Sequence, residues 1–107
     1  MRKTIRELEK EYEEPDGFVY QLRYGTFDSD GLNRFLEILR PVDFKTSGVV
    51  SRRFVVLIWY ANTVLCGLRH SEKAVVLSDT PTKDPDRVLF EAECSVAAEF
   101  DRIFGYP

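Results

Sequence analysis

The chain has 107 residues, of which 44% are hydrophobic and 31% charged, with a formal net charge of −3 and a pI near 5.2. That length suits one domain around one hydrophobic core, and the acidic balance works against nucleic acid and anionic lipid, both polyanions, as partners. Two cysteines and a single histidine are too few for a disulfide scaffold or a four-ligand structural zinc site, so neither metal nor cofactor is expected.

Helical spacing starts at once. Over residues 4–14, Ile5, Leu8 and Tyr12 form one narrow apolar stripe, and Thr4 with Glu7 fits a capping box. Pro15, Asp16 and Gly17 end the segment. Its other faces are charged, and carboxylates, Glu13 and Glu14 among them, crowd the C-terminal turn, where the helix dipole disfavours them. A local conflict of this kind is sometimes the mark of a functional position. Residues 18–24 lie between Gly17 and Gly25; Phe18 and Leu22 share a helical face, which favours two helical turns over a short strand.

Residues 29–40 carry the clearest helical pattern. Asp28 or Ser29 supplies the cap, Asp30 sits in the first turn, and Leu32, Phe35, Leu36 and Leu39 follow at the helical interval before Pro41. The most apolar stretch comes next. Residues 54–68 carry no charge, and Arg52 and Arg53 close the run on one side as Arg69 and His70 do on the other. A membrane-spanning helix needs about 20 apolar residues, so this run is too short to cross a bilayer and no membrane partner is expected. Positions 54, 57, 58, 61, 64, 65 and 68 make a complete helical stripe. The β-branched and aromatic content of residues 54–60 favours a strand, whereas the length of the run favours a helix, since strands rarely exceed about ten residues. The expectation is a buried helix over about residues 51–69.

Residues 73–78 read as the tail of that helix or as a short strand, and residues 79–83 as an exposed polar loop. Asp84, Pro85 and Asp86 then open a last helix, along which Val88, Leu89, Ala92, Val96, Phe100 and Ile103 share one face until Gly105 stops it. The expected fold is therefore all-α: a single globular domain spanning residues 1–107, with about four helices around the buried apolar helix at 51–69. Loop-like gaps are expected at 41–50 and 78–84. The alternative is α+β, with a small antiparallel sheet drawn from residues 52–94.

Chemistry-bearing patterns are sparse. His70 follows Cys66 by four positions, which would place both on one helical face, but no third group is spaced to orient a Cys–His pair. Asp28, Asp30, Asp43, Asp79, Asp84 and Asp86 all sit where turns and caps want them. The stretch from Gly25 to Gly31 lacks the Lys of a phosphate-binding loop and carries acidic side chains that repel phosphate. Leu8, the segment 18–23, Gly25, Leu32 and Leu36 are loosely similar in spacing to a helix-turn-helix DNA reader. The would-be reading helix, however, offers only Gln21 and Arg23 and is preceded by Glu13, Glu14 and Asp16.

The reading that fits these observations is a non-catalytic, acidic protein-binding module, located in the cytoplasm because the first residues contain no apolar signal core. Its expected partner is a basic protein, with no nucleic acid involved. The expected partner-binding residues are Glu9, Glu11, Tyr12, Glu13, Glu14, Asp16, Phe18 and Tyr20, because clustered carboxylates steer basic partners and aromatic side chains anchor interfaces. Further aromatics outside the central run, Tyr24, Phe27 and Tyr106, add to the supply. In size and charge the chain is similar to small acidic inhibitors of basic toxins, such as bacterial immunity proteins. A helix-turn-helix regulator is the second reading and a small enzyme the third. No pattern in the sequence sets an oligomeric state.

Overall fold

The computed structural model describes residues 2–43, 51–71, 75–78 and 84–105; the expectations for 79–83, for Tyr106 and for most of the gap at 41–50 lie outside these. Four long helices, one short helix and a minimal pair of strands carry the described chain: α1 (Arg2–Glu13), α2 (Phe18–Arg23), β1 (Thr26–Phe27), α3 (Ser29–Leu39), α4 (Arg52–Arg69), β2 (Val76–Leu77) and α5 (Pro85–Phe104). The fold is mainly α, as expected.

Helix ends follow local chemistry. Ser51 caps α4, its hydroxyl accepting from the Phe54 amide at 3.4 Å, and Asp84 caps α5, accepting from the Asp86 amide at 3.2 Å, with Pro85 at the first helical position. α1 begins at Arg2, so Thr4 lies within its first turns and is not its cap. Asp28 has the extended backbone of a cap to α3, but its side chain makes no capping hydrogen bond; it accepts from the Ser78 hydroxyl at 3.4 Å. The C-terminus of α3 is stabilised by a cation from another element. Arg102 on α5 donates to the carbonyls of Leu39 and Val42 at 2.9 and 3.0 Å.

The core draws on every element. From α4 come Phe54, Leu57, Ile58, Ala61 and Leu65, all on the stripe that its spacing picks out. α5 contributes Leu89, Ala92, Val96 and Ile103. Phe54 meets Phe104 near one end of the pair, at 6.0 Å between ring centroids. Arg69 meets Glu93 towards the other at 2.5 Å, so α4 and α5 run antiparallel. Phe18 packs edge-on against Phe27 at 5.9 Å and tilted against Phe35 at 5.7 Å, which ties α2 to β1 and α3.

The α+β alternative and one expectation are corrected. The only sheet among the described residues is parallel, not antiparallel; it pairs Thr26 with Val76 and Phe27 with Leu77, and residues 54–60 lie within α4. Strands of two residues are too short to leave a period in the sequence, so β1 went unanticipated. The central helix is also less enclosed than expected. Its stripe is buried at Phe54, Leu57, Ile58, Ala61 and Leu65 and half-buried at Val64 and Leu68, but Val56, Trp59 and Tyr60 on the opposite side are 44%, 61% and 39% exposed.

Candidate functional site

The eight residues singled out by charge and aromaticity separate into three groups. Glu11, Tyr12 and Phe18 are buried, Glu9 and Tyr20 are half-buried, and Glu13, Glu14 and Asp16 are exposed. The buried three are engaged inside the fold.

Glu11 explains part of the charge conflict at the end of α1. Its carboxylate points away from its own helix and caps the next one: Oε1 accepts from the Phe18 amide at 3.0 Å, at the start of α2, where Gly17 supplies no side-chain cap. Arg34 on α3 donates to the same carboxylate, through Nε to Oε2 at 2.9 Å and Nη2 to Oε1 at 2.8 Å, and Nη2 also reaches the Asp16 carbonyl at 3.1 Å. The carboxylate beside it holds the Arg34 guanidinium above its ordinary pKa. One side chain thus joins α1, α2 and α3. The turn is tight enough that a Cβ on Gly17 would lie 2.4 Å from the Glu11 carbonyl oxygen, so the position demands glycine.

Tyr12 packs its ring near that of Tyr60, with centroids 6.1 Å apart, and its hydroxyl donates to the Leu57 carbonyl, bonding α1 to α4. Burial pushes its pKa above the ordinary 10.0. The folded chain therefore holds that proton more tightly than the unfolded one. The resulting stability is complete below the unfolded value and is lost as pH rises beyond it. Tyr12→Phe should cost about 1 kcal/mol at neutral pH through the lost hydrogen bond, and should lessen the decline in stability between about pH 9 and pH 11. Urea denaturation of the two chains at both pH values measures this; equal declines would show that Tyr12 does not carry the effect.

Further exposed aromatics lie on α4. Val56, Trp59 and Tyr60 share the outer side of α4 with the exposed Thr63 and Gly67, and a hollow flanks this strip on each side. Towards α1 and α2, Tyr60, Val56 and Leu57 with Tyr12, Glu13, Arg23 and Arg53 line a hollow of about 220 Å³. Arg23 lies over the rings of Tyr12 and Tyr60, at 5.6 and 5.5 Å from their centroids, and Arg53 is 3.7 Å from Glu9. Towards α5, Trp59 borders a smaller hollow of about 100 Å³ whose rim includes Asp101. The acidic end of α1 and the aromatic strip of α4 thus meet at Glu13 and Tyr60. Of the aromatics expected at this surface, Tyr12 and Phe18 are buried and Tyr20 is half-buried, whereas Trp59 and Tyr60 of α4 are exposed.

Tyr20 and Tyr24 form a separate pair, with centroids 5.1 Å apart, and their hydroxyl contact raises the Tyr20 pKa. Tyr24 is 75% exposed. Cys66 and Cys94 are both free thiols, the first half-buried and the second exposed. Among the described residues no group of three or more His, Cys, Asp or Glu is placed to hold a metal ion, and no helix is long and apolar enough to cross a membrane. Comparison with family models, with curated proteins and with solved structures gives no match.

Proposed function

We propose that this chain is a non-catalytic module that binds a basic protein through the outer side of α4 and the acidic end of α1. The observation that carries the reading is Trp59, 61% exposed beside Val56 and Tyr60 on a helix whose other side is core. Contiguous exposed apolar surface of this kind marks interaction sites, and tryptophan and tyrosine are enriched among interface anchors. Charge supports a basic partner, with Arg23 at the edge of the hollow held over the Tyr12 and Tyr60 rings. Glu13 borders the strip, Glu14 and Asp16 follow it in the chain, and among the described residues none of the three has an ion pair. Arg53, by contrast, already has Glu9 beside it, and the net charge of −3 favours a cationic partner at longer range.

Inhibition of a basic toxin, in the manner of an immunity or antitoxin protein, is one role that such a surface would serve. The free thiols suit a reducing compartment such as the cytoplasm. The geometry supports the DNA-reading alternative less well. Phe18, Val19 and Leu22 of α2 are buried, Gln21 donates to the Pro15 carbonyl at 3.5 Å, and Arg23 lies over two tyrosine rings. Little of that six-residue helix is left to enter a groove.

Charge reversal tests the reading. A chain carrying Glu13→Lys, Glu14→Lys and Asp16→Lys should fold as the parent does, since all three sites are exposed. It should capture the proteins that the parent retains about tenfold more slowly at low salt, with the difference shrinking as salt rises. Captured proteins that are acidic, or that bind the reversed chain equally fast, would defeat the proposal, as would salt-sensitive binding of duplex DNA that is lost on changing Gln21 and Arg23.

A further inference from the structure

The hollow between α4 and α5 has a composition that the strip beside it lacks. Its base is formed by Ile58 and Val96, both fully buried. Trp59 and Phe100 also line it, the latter held against Phe104 at 4.6 Å between centroids. Ala97 and two oxygen-bearing side chains complete the lining. Asn62 has its Oδ1 buried with no hydrogen-bond partner among the described residues. Asp101 is exposed and forms no ion pair among them. Its neighbour Arg102 does not neutralise it, because that guanidinium is directed to Glu99 at 2.6 Å and to the carbonyls of Leu39 and Val42.

Aromatic faces beside a carboxylate and an unsatisfied amide oxygen select for a cation that also donates hydrogen bonds. The faces attract positive charge through their quadrupoles, and the carboxylate pairs with it. A buried acceptor without a donor is costly, so a donor that reaches it is favoured. A hollow of about 100 Å³ takes a side-chain head group and little more, given that a cavity of roughly 150 Å³ holds a benzene ring. Guanidinium fits these terms best: it is planar, stacks on tryptophan, is weakly hydrated, and donates from several edges at once.

We infer that the α4–α5 hollow is a subsite for an arginine side chain of the basic partner, with Trp59 and Phe100 as its walls and Asp101 and Asn62 as its acceptors. The inference rests on the protein-binding reading above and sharpens it by assigning one residue type to one place.

Trp59 is the only tryptophan in the chain, so its fluorescence reports on the hollow directly. The full chain is titrated with N-acetyl-arginine amide and with N-acetyl-citrulline amide, which has nearly the same shape but no charge, at constant ionic strength. The arginine amide should give a saturable change in emission, with the citrulline amide at least tenfold weaker. Asp101→Asn, at an exposed site where folding is checked by circular dichroism, should reduce that preference to less than about threefold. Ala97→Phe, which fills the hollow from the α5 side, should abolish the response to both. Equal responses to the two amides, no saturable response to arginine, or a preference that survives Asp101→Asn would each overturn the subsite. A failure here with the charge-reversal result intact removes the subsite and leaves the binding surface. Success here with acidic or charge-insensitive partners does the reverse.

Discussion

Glu11→Lys should lower the melting temperature by more than about 12 °C, whereas Glu13→Lys, two positions away, should leave it nearly unchanged. The physical difference is burial. Glu11 is 6% exposed and accepts from both the Phe18 amide and the Arg34 guanidinium. Lysine at that position offers no acceptor to the amide and sets a second cation against Arg34. Breaking a buried ion pair by removing one partner costs about 3–5 kcal/mol. Arg34 is 45% exposed and can turn to water, so the lower end of that range applies. A loss of about 3 kcal/mol corresponds to roughly 12–24 °C in a chain of this size, out of a total stability of about 5–15 kcal/mol. Glu11→Gln should fall between, because its amide oxygen still accepts from Phe18 while the charge on Arg34 goes unanswered. Thermal melts followed by circular dichroism decide the matter. If Glu11→Lys melts within a few degrees of Glu13→Lys, the carboxylate does not join the three helices in the way described.

Glu11 also marks where sequence reasoning stops. Charge and dipole arguments identify carboxylates out of place at the end of α1, and for a helix viewed alone that is correct. What they miss is the turn through residues 14–17, which brings the start of α2 back onto Glu11, seven residues from Phe18. The helical neighbours reached by sequence rules are three and four positions apart, so a cap supplied from the preceding helix has no signature. A carboxylate unwelcome at one helix end is welcome at the start of the next.

α4 shows the complementary gap. Its buried stripe was legible because Phe54, Leu57, Ile58, Ala61 and Leu65 recur at helical spacing. Its exposed side was not, because a helix apolar all round reads as enclosed on every side. A signal was nevertheless present. Thr63 and Gly67, small or polar and both exposed, fall on the same side as Val56, Trp59 and Tyr60, and residues of that kind seldom face a core. The last helix needed no such correction, since Asp84, Pro85 and Gly105 bound it by local chemistry alone.

The exposure of α4 gives the largest functional effect to be expected. Trp59→Ala removes a ring that is 61% exposed and bounds the hollow facing α5 without entering the buried stripe. The fold should therefore hold, with stability changed by no more than about 1 kcal/mol. Binding should suffer far more, since truncation of a central aromatic anchor costs about 2 kcal/mol or more, which is roughly thirtyfold in affinity. That loss should appear almost wholly as faster dissociation, because buried contacts govern the lifetime of a complex while charge governs its formation. Surface-immobilised chain and purified partner separate the two: the Lys variants at Glu13, Glu14 and Asp16 should change the association phase, and Trp59→Ala the dissociation phase. Tyr60→Ala does not isolate binding so cleanly, because the Tyr60 ring packs near Tyr12 and lies under Arg23. A partner that leaves the Trp59→Ala chain no faster than the parent, with the fold intact, would mean that the exposed side of α4 is not where it docks.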